Sequence, residues 1–324
     1  MASVVGISLL VFGNVAGAAS SVTLANLTCE YLRDPHGIAA AQPRLAWILQ
    51  SAQRGQRQTA YQVLVASSPE LLARDEGDLW DSGKVDSDQS IHVAYAGKAL
   101  ASHQRCWWKV RVWDKDSAAT VWSEPACWSM GILDEAAWRA RWIGIEKEDE
   151  AKAEPESRRL PARQLRKAFA VEKPVSRATA YLSGLGLSEL YLNGAKVGDH
   201  VLSPGCTEYN KRVFYVAYDV TDRLREGANA VGVWLGNGLF WAPRTKVPTN
   251  MRTFGFPKML FHLRIEYADG AVAEVVSDGS WRVTTEGPIR ANNIYDGEEY
   301  DARRELDGWN RPGFDDASWE QAAV

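Results

Sequence analysis

The sequence predicts an all-β chain: two antiparallel β-sandwiches in tandem, the first of fibronectin III or immunoglobulin type. Three observations carry this. Apolar residues alternate at period two in run after run, as in Tyr61–Ala66, Cys106–Trp113 and Ser188–Leu192. Apolar spacing of helical period is almost absent. The chain also holds 14 tryptophans and 26 glycines in 324 residues, an aromatic core punctuated by turns. Lys and Arg number 37 against 41 Asp and Glu, a net charge of −4, so there is no basic field to gather phosphates or anionic lipid.

Residues 2–19 carry no charge and end in Ala16-Gly17-Ala18, an A-x-A-like pattern, so residues 1–20 read as a secretory signal. The basic region that usually precedes such a stretch is absent, the first basic residue being Arg33. The stretch is shorter than the ~20 residues that span a bilayer, and no membrane span is predicted. The first sandwich is placed at residues 22–137. Its hairpin Cys106–Trp113 and Val121–Trp128, folded about Asp114–Ala119, brings Cys106 opposite Cys127 when its register is regular. Facing residues have Cβ atoms ~4.5–5.5 Å apart, so a disulfide is possible there; two buried thiols separated by a bulge are the other reading.

Residues 146–164 are charged and contain Pro155 and Pro161, which reads as a linker or exposed loop. The second sandwich is placed at 138–310. Ala178–Ser183 and Ser188–Leu192 are strands, and Asn193-Gly194 is a hairpin turn because both residues tolerate positive φ. Val213–Val220 follows, then one short helical turn within Asp219–Asn229. Asn229–Leu235, Met259–Tyr267 with its Asp269-Gly270 turn, and Ala273–Val276 complete the set.

The signatures of phosphate-binding loops, serine nucleophile elbows and zinc-binding helices are missing, and the five histidines are scattered. Carboxylates cluster at Asp296, Glu298, Glu299, Asp301 and Glu305. Such a cluster fits opposed acids of a glycosidase, a partial calcium cage, or a solvated loop held by Arg303 and Arg304. Asn193 and Asn237, each beside glycine, suit sugar hydroxyls because amides donate and accept at once, and Trp241 offers an aromatic face. Asn-Gly is equally a turn device.

Residues 22–132 resemble the fibronectin-type leading module of bacterial α-L-rhamnosidases, through AYQVLVASS, DLWDSGKV and CWWKVRVWDKD…WSEP. Residues 165–324 resemble the N-terminal β-sandwich of the same family, through SELYLNGAKVGDHVLSPGCTEYNKRVFYVAYDVTDRLREGANAVGVWLGNGLFW and IYDGEEYDARRELDGWNRPGFDDASWEQA. The resemblance implies a jelly-roll or carbohydrate-binding-module-like second domain. It implies a secreted or periplasmic inverting glycoside hydrolase that removes terminal α-L-rhamnose, with its catalytic carboxylates in an (α/α)6 barrel downstream. Residues 311–324 are then the start of the connection to that barrel, and no residue present is assigned a catalytic role. The implied carbohydrate ligands are Asn193 and Asn237, with Trp241 and Asp199 as additions. Glu298, Asp301 and Arg303 would order the junction with the catalytic domain on which this chain packs. No cofactor is required, and calcium is possible in the second sandwich, although no adjacent Asp-Asn pair stands at the corresponding stretch. A stand-alone rhamnose-binding module and a scaffold without ligand are the alternatives.

Overall fold

The computed structural model describes residues 20–147, 160–242 and 253–324. The signal-like segment therefore lies outside the described residues, as does most of the predicted linker. Two compact units meet between Leu133 and Asp134.

In the first unit, β1 (Thr23–Cys29), β2 (Arg44–Gln50) and β6 (Val93–Ala94) form one sheet in the order β1-β2-β6. The second sheet runs β4 (Trp80–Asp81), β3 (Ala60–Ala66), β7 (Arg105–Trp113), β8 (Ala126–Ser129), with β5 (Val85–Asp86) also on β3. The core between them holds Trp47, Trp108 and Trp128 with Val63, Val65 and Val110. Period two explains β7: Cys106, Trp108, Val110 and Val112 point inward and are buried, while Trp107, Arg111 and Trp113 stay partly exposed. The short helix α1 (Pro69–Ala73) is capped by Ser68, whose hydroxyl accepts from the Leu71 amide.

The β7–β8 register corrects the expected disulfide. Near the turn Ser123 pairs with Val110, but farther along Ala126 pairs with Trp108. Two residues on β7 are matched by three on the returning strand, a bulge at Glu124-Pro125, where proline has no amide to give the ladder. Cys106 then faces Trp128, and Cys127 faces Trp107. A one-residue slip sends the two thiols to opposite faces of the sheet, and both cysteines are free.

The second unit is a larger sandwich. Its strands are β9 (Ile143–Gly144), β10 (Arg163–Val171), β11 (Val175–Leu185), β12 (Leu187–Leu192), β13 (Ala195–Lys196), β14 (Val216–Asp219), β15 (Gly227–Gly236), β16 (Lys258–Tyr267), β17 (Val272–Val276), β18 (Arg282–Thr284), β19 (Ile289–Asn293), β20 (Gly297–Tyr300) and β21 (Glu320–Gln321). Six strands order as β13-β12-β15-β10-β18-β21, and the facing five-stranded sheet runs β14-β11-β16-β17 with β9 on β16. Leu190, Val233, Leu165 and Val283 from the first sheet pack on Ala180, Leu182, Phe261 and Leu263 from the second. The Asn193-Gly194 turn forms as its sequence predicts, with φ of 52° and 92°, and the short helical turn is a 3-10 turn at Thr221–Arg223. The C-terminal part of the expected linker is strand instead. Leu160, Arg163 and Gln164 are buried and β10 begins at Arg163, whose guanidinium donates to the Pro161 carbonyl at 2.6 Å. Among the described residues no helix is long and apolar enough to cross a membrane.

Candidate functional site

With Leu190, Val233, Leu165 and Val283 facing the core, alternate residues of the same strands face outward. Two cross-strand rows result: Glu189, Trp234, Gln164 and Thr284, then Tyr191, Gly232, Arg166 and Arg282. The β19–β20 hairpin and the segment 305–311 stand over these rows and enclose a groove. One part, about 500 Å³, is lined by Glu189, Trp234, Asn292, Glu298 and Tyr300. The other, about 320 Å³, is lined by Gln164, Glu305, Trp309 and Arg311. Tyr191, Trp234 and Tyr300 line both. The volumes lie within the ~300–1,000 Å³ usual for small-molecule sites.

Each wall has a physical anchor. Gly232 has no side chain, and a Cβ there would stand 2.7 Å from the Trp309 ring. Trp309 sits edge-on to Trp234 at 5.6 Å. Arg166, almost wholly buried, donates to the carbonyls of Trp309 at 2.7 Å and Arg311 at 3.1 Å, and pairs with Asp316. Bonding the last of these chain segments to a strand interior fixes the second wall. Glu189 accepts from the Tyr191 hydroxyl at 2.9 Å and pairs with Lys196 at 2.5 Å. Burial, reinforced by that carboxylate, holds the Tyr191 phenol well above its usual range, so it stays protonated as a donor. The Tyr300 hydroxyl donates to Glu305 at 2.7 Å, which raises its own pKa.

Beneath the groove Gln164 is 1% exposed, and among the described residues neither its amide oxygen nor its amide nitrogen has a hydrogen-bond partner. A buried polar group left unpaired costs about 1–3 kcal/mol. The amide oxygen packs against Gly287, where an added Cβ would stand 2.2 Å from it.

The sequence-predicted ligands do not converge here. Asn193 lies just past Leu192, beside Ala230, whereas Asn237 lies past Gly236, at the other end of the β12–β15 pair. About six residues at ~3.3 Å each separate these ends. The Asn193 amide donates to the Arg223 carbonyl at 2.9 Å and to Asn229 at 2.8 Å, and accepts from the Ala230 amide at 2.9 Å. Asn237 is 0% exposed and donates to the carbonyls of Leu160 at 2.6 Å and Asn292 at 2.8 Å. Both amides are consumed by the fold, Asn237 as a brace for the hairpin wall. Trp241 is buried and stacks on Phe256 at 4.7 Å. The Asp199 side chain is fully exposed, 3.9 Å from His200, and lines neither part of the groove.

The carboxylate cluster divides. Glu298 lines the groove. Asp301 turns away to cap the 3-10 turn Ala302–Arg304, accepting from the Arg303 amide at 3.2 Å and guanidinium at 2.7 and 2.8 Å. That guanidinium lowers the Asp301 carboxyl to about 2. Among the described residues no three His, Cys, Asp or Glu side chains gather as a metal cage.

Comparison with known proteins places this arrangement. Residues 24–134 match the family described as Rha78A-like, N-terminal immunoglobulin domain. Residues 173–324 match the Alpha-L-rhamnosidase N-terminal domain. The chain belongs to the α-L-rhamnosidase family. It corresponds to the N-terminal portion, and the groove lies within the second matched domain. An α-L-rhamnosidase of Formosa agariphila is 39% identical over 305 residues, 88% of this chain and 32% of that protein. One from Alteromonas is 37% identical, with 88% and 31% covered. The α-L-rhamnosidase structure from Dictyoglumus thermophilum superposes with a TM-score of 0.84 at 37% identity, covering 95% of this chain and 34% of that one. The Streptomyces avermitilis α-L-rhamnosidase, solved with L-rhamnose, gives 0.82 at 29% identity, with 93% and 45% covered. The chain thus spans about a third of the length of the first curated relatives it matches.

The groove residues Gln164, Trp234, Tyr191 and Glu189 were not singled out from the sequence. One signal was available: in Ala230–Leu235 and Ser188–Leu192, Trp234, Glu189 and Tyr191 occupy the outward phase of a period-two strand. A large aromatic on that phase needs a cover or a ligand.

Proposed function

We propose that this chain is the non-catalytic N-terminal part of an exported glycosidase that removes terminal α-L-rhamnose, and that its second domain faces the rhamnose-containing carbohydrate. The observation that carries the reading is the ordered pair of matched domains, joined in one chain with 37% identity to a rhamnosidase structure over nearly its full length. On this reading the hydrolytic acid and base stand outside the chain, and the groove contributes recognition.

The test is a chimera in which this chain replaces the matched third of the Formosa agariphila relative. The chimera is expected to hydrolyse p-nitrophenyl α-L-rhamnopyranoside, and the chain alone to release no nitrophenol. A folded but inactive chimera beside an active parent overturns the family activity; turnover by the chain alone overturns its non-catalytic part. Export is supported by the uncharged residues 2–19 and their Ala16-Gly17-Ala18 end. Expressed from its own start in a bacterium, the exported protein is expected to begin at Ala19; an uncleaved cytoplasmic product would refute this.

A further inference from the structure

We infer that Trp138 and Arg139 form a pH-sensitive latch on the outer face of the five-stranded sheet, shut while His262 is neutral and released when that ring takes up a proton. The latch is independent of the glycosidase reading above.

Strand phase brings the parts together. Ala180 and Leu182 of β11 and Phe261 and Leu263 of β16 face the core. Tyr181 and His262, which pair across that ladder, therefore point to the other side of the sheet. There the segment that leads into β9 lies over them. The Trp138 ring stands 6.3 Å from Tyr181, 6.1 Å from His262 and 5.3 Å from Tyr215, each edge to face. Tyr181 in turn meets Tyr215 at 5.8 Å and His262 at 6.3 Å. Such crossed pairs are favourable aromatic geometry. Tyr181 and His262 are 0% exposed, and half-buried Trp138 closes the box from outside.

The covering segment is fastened unequally. After Trp138, the Arg141 amide donates to the Ser277 carbonyl at 2.8 Å, and its carbonyl accepts from the Ser277 hydroxyl at 2.6 Å. Ile143 and Gly144 then pair with β16. Before Trp138, the exposed 3-10 turn Glu135–Ala137 is capped from within by Asp134. Arg139 pairs with Glu274 at 3.4 Å, but its side chain is 74% exposed, and such surface pairs hold weakly. Trp138 in its box is the principal hold on residues 134–140, and Arg141 is the fixed point from which they swing.

Charge sets the direction. The His262 Nε2 stands 3.2 Å from the Glu274 carboxylate of β17. That carboxylate is already shared with Arg139 at 3.4 Å and Arg264 of β16 at 3.9 Å. Arg264 also pairs with Glu266 at 3.2 Å, as does Arg177 of β11 at 3.8 Å. The phenol of Tyr181, which burial keeps protonated, completes the wall with Tyr215 behind it. A proton on His262 makes a buried cation beside two guanidinium groups and one shared carboxylate, and burial outweighs that carboxylate. Lifting Trp138 lets water reach the ring and restores its ordinary affinity for a proton. Acid therefore favours the open latch. The chain passes from the first unit to the second at Leu133–Asp134, so release lengthens the untethered chain between the units.

The test incorporates 5-fluorotryptophan into this chain and follows it by fluorine NMR from pH 7 to pH 5. Trp138→Phe and Trp281→Phe assign the two resonances needed. Exposure is read from the shift each resonance makes when water is exchanged for heavy water. The Trp138 resonance is expected to gain this solvent shift as the pH falls, with a midpoint below 6.5. Trp281, 0% exposed beside Phe261 in the core, is expected to keep its own. In His262→Gln the Trp138 resonance is expected to lose its pH response. His262→Phe, which keeps a neutral ring in the box, serves the same purpose if the glutamine variant does not fold. The proposal is overturned if Trp138 stays shielded down to pH 5, if Trp281 becomes exposed together with it, or if the folded neutral variant responds to pH as the wild type does.

Discussion

At the scale of single residues, the contrast between two amides decides what each is for. Asn193 makes three side-chain hydrogen bonds that close the β12–β13 turn against Arg223, Asn229 and Ala230, and it sits at a φ of 52° that asparagine tolerates. Asn193→Ala is therefore expected to destabilise the second domain by roughly 2–4 kcal/mol in urea unfolding, while the folded variant keeps any affinity for rhamnose. A neutral effect on stability would show that the turn does not depend on that amide. The sequence made Asn193 visible because Asn-Gly is a local signal. Gln164 was invisible for the complementary reason. Nothing near it in the chain shows that Trp234 and Gly287, far away in sequence, would pack against it.

At the scale of elements, strands and most of their pairing follow from period two and turn chemistry. Register is less legible. Between Asp114 and Trp128 the alternation is clear, yet the bulge at Glu124-Pro125 moves Cys127 off Cys106, because one unpaired residue reverses every facing beyond it. Charge also misleads at the start of β10: Arg163 and Arg166 belong to a buried strand since their guanidinium groups reach backbone carbonyls. On β16, His262 lies at 0% exposure in a cluster of Trp138, Tyr181 and Tyr215. Burial lowers its pKa below the usual 6.5, with Glu274 opposing the shift and Arg264 and Arg139 adding to it. Below 6.5 the unfolded chain takes up a proton that the folded one refuses. The stability contributed by neutral His262 is full above that pH and declines as pH falls toward the folded value. Thermal melts of the wild type at pH 7 and pH 5 should show this decline, and His262→Gln should flatten it. Parallel pH dependences in the two proteins would rule the histidine out.

At the scale of the whole molecule, the sequence separated two β-domains because each half carries its own set of alternating strands, and each has its own buried cluster. It also carried the family resemblance, which long runs of residues preserve better than any site. The groove belongs to neither kind of information. Its floor comes from strands spread between residues 163 and 284, and its walls from residues after 288. A surface assembled from such distant segments leaves no contiguous mark.

The way Arg166 holds Trp309, Arg311 and Asp316 has a consequence in time. The arginine emerges from the ribosome some 140 residues before its partners. Until they are made, the guanidinium has neither its carbonyls nor its carboxylate. The β21–β18 pairing and the seat of Trp309 over Gly232 involve the last residues made. The buried charge at Arg166 thus ties the last residues of the chain, and with them the second wall of the groove, to the interior of the sheet.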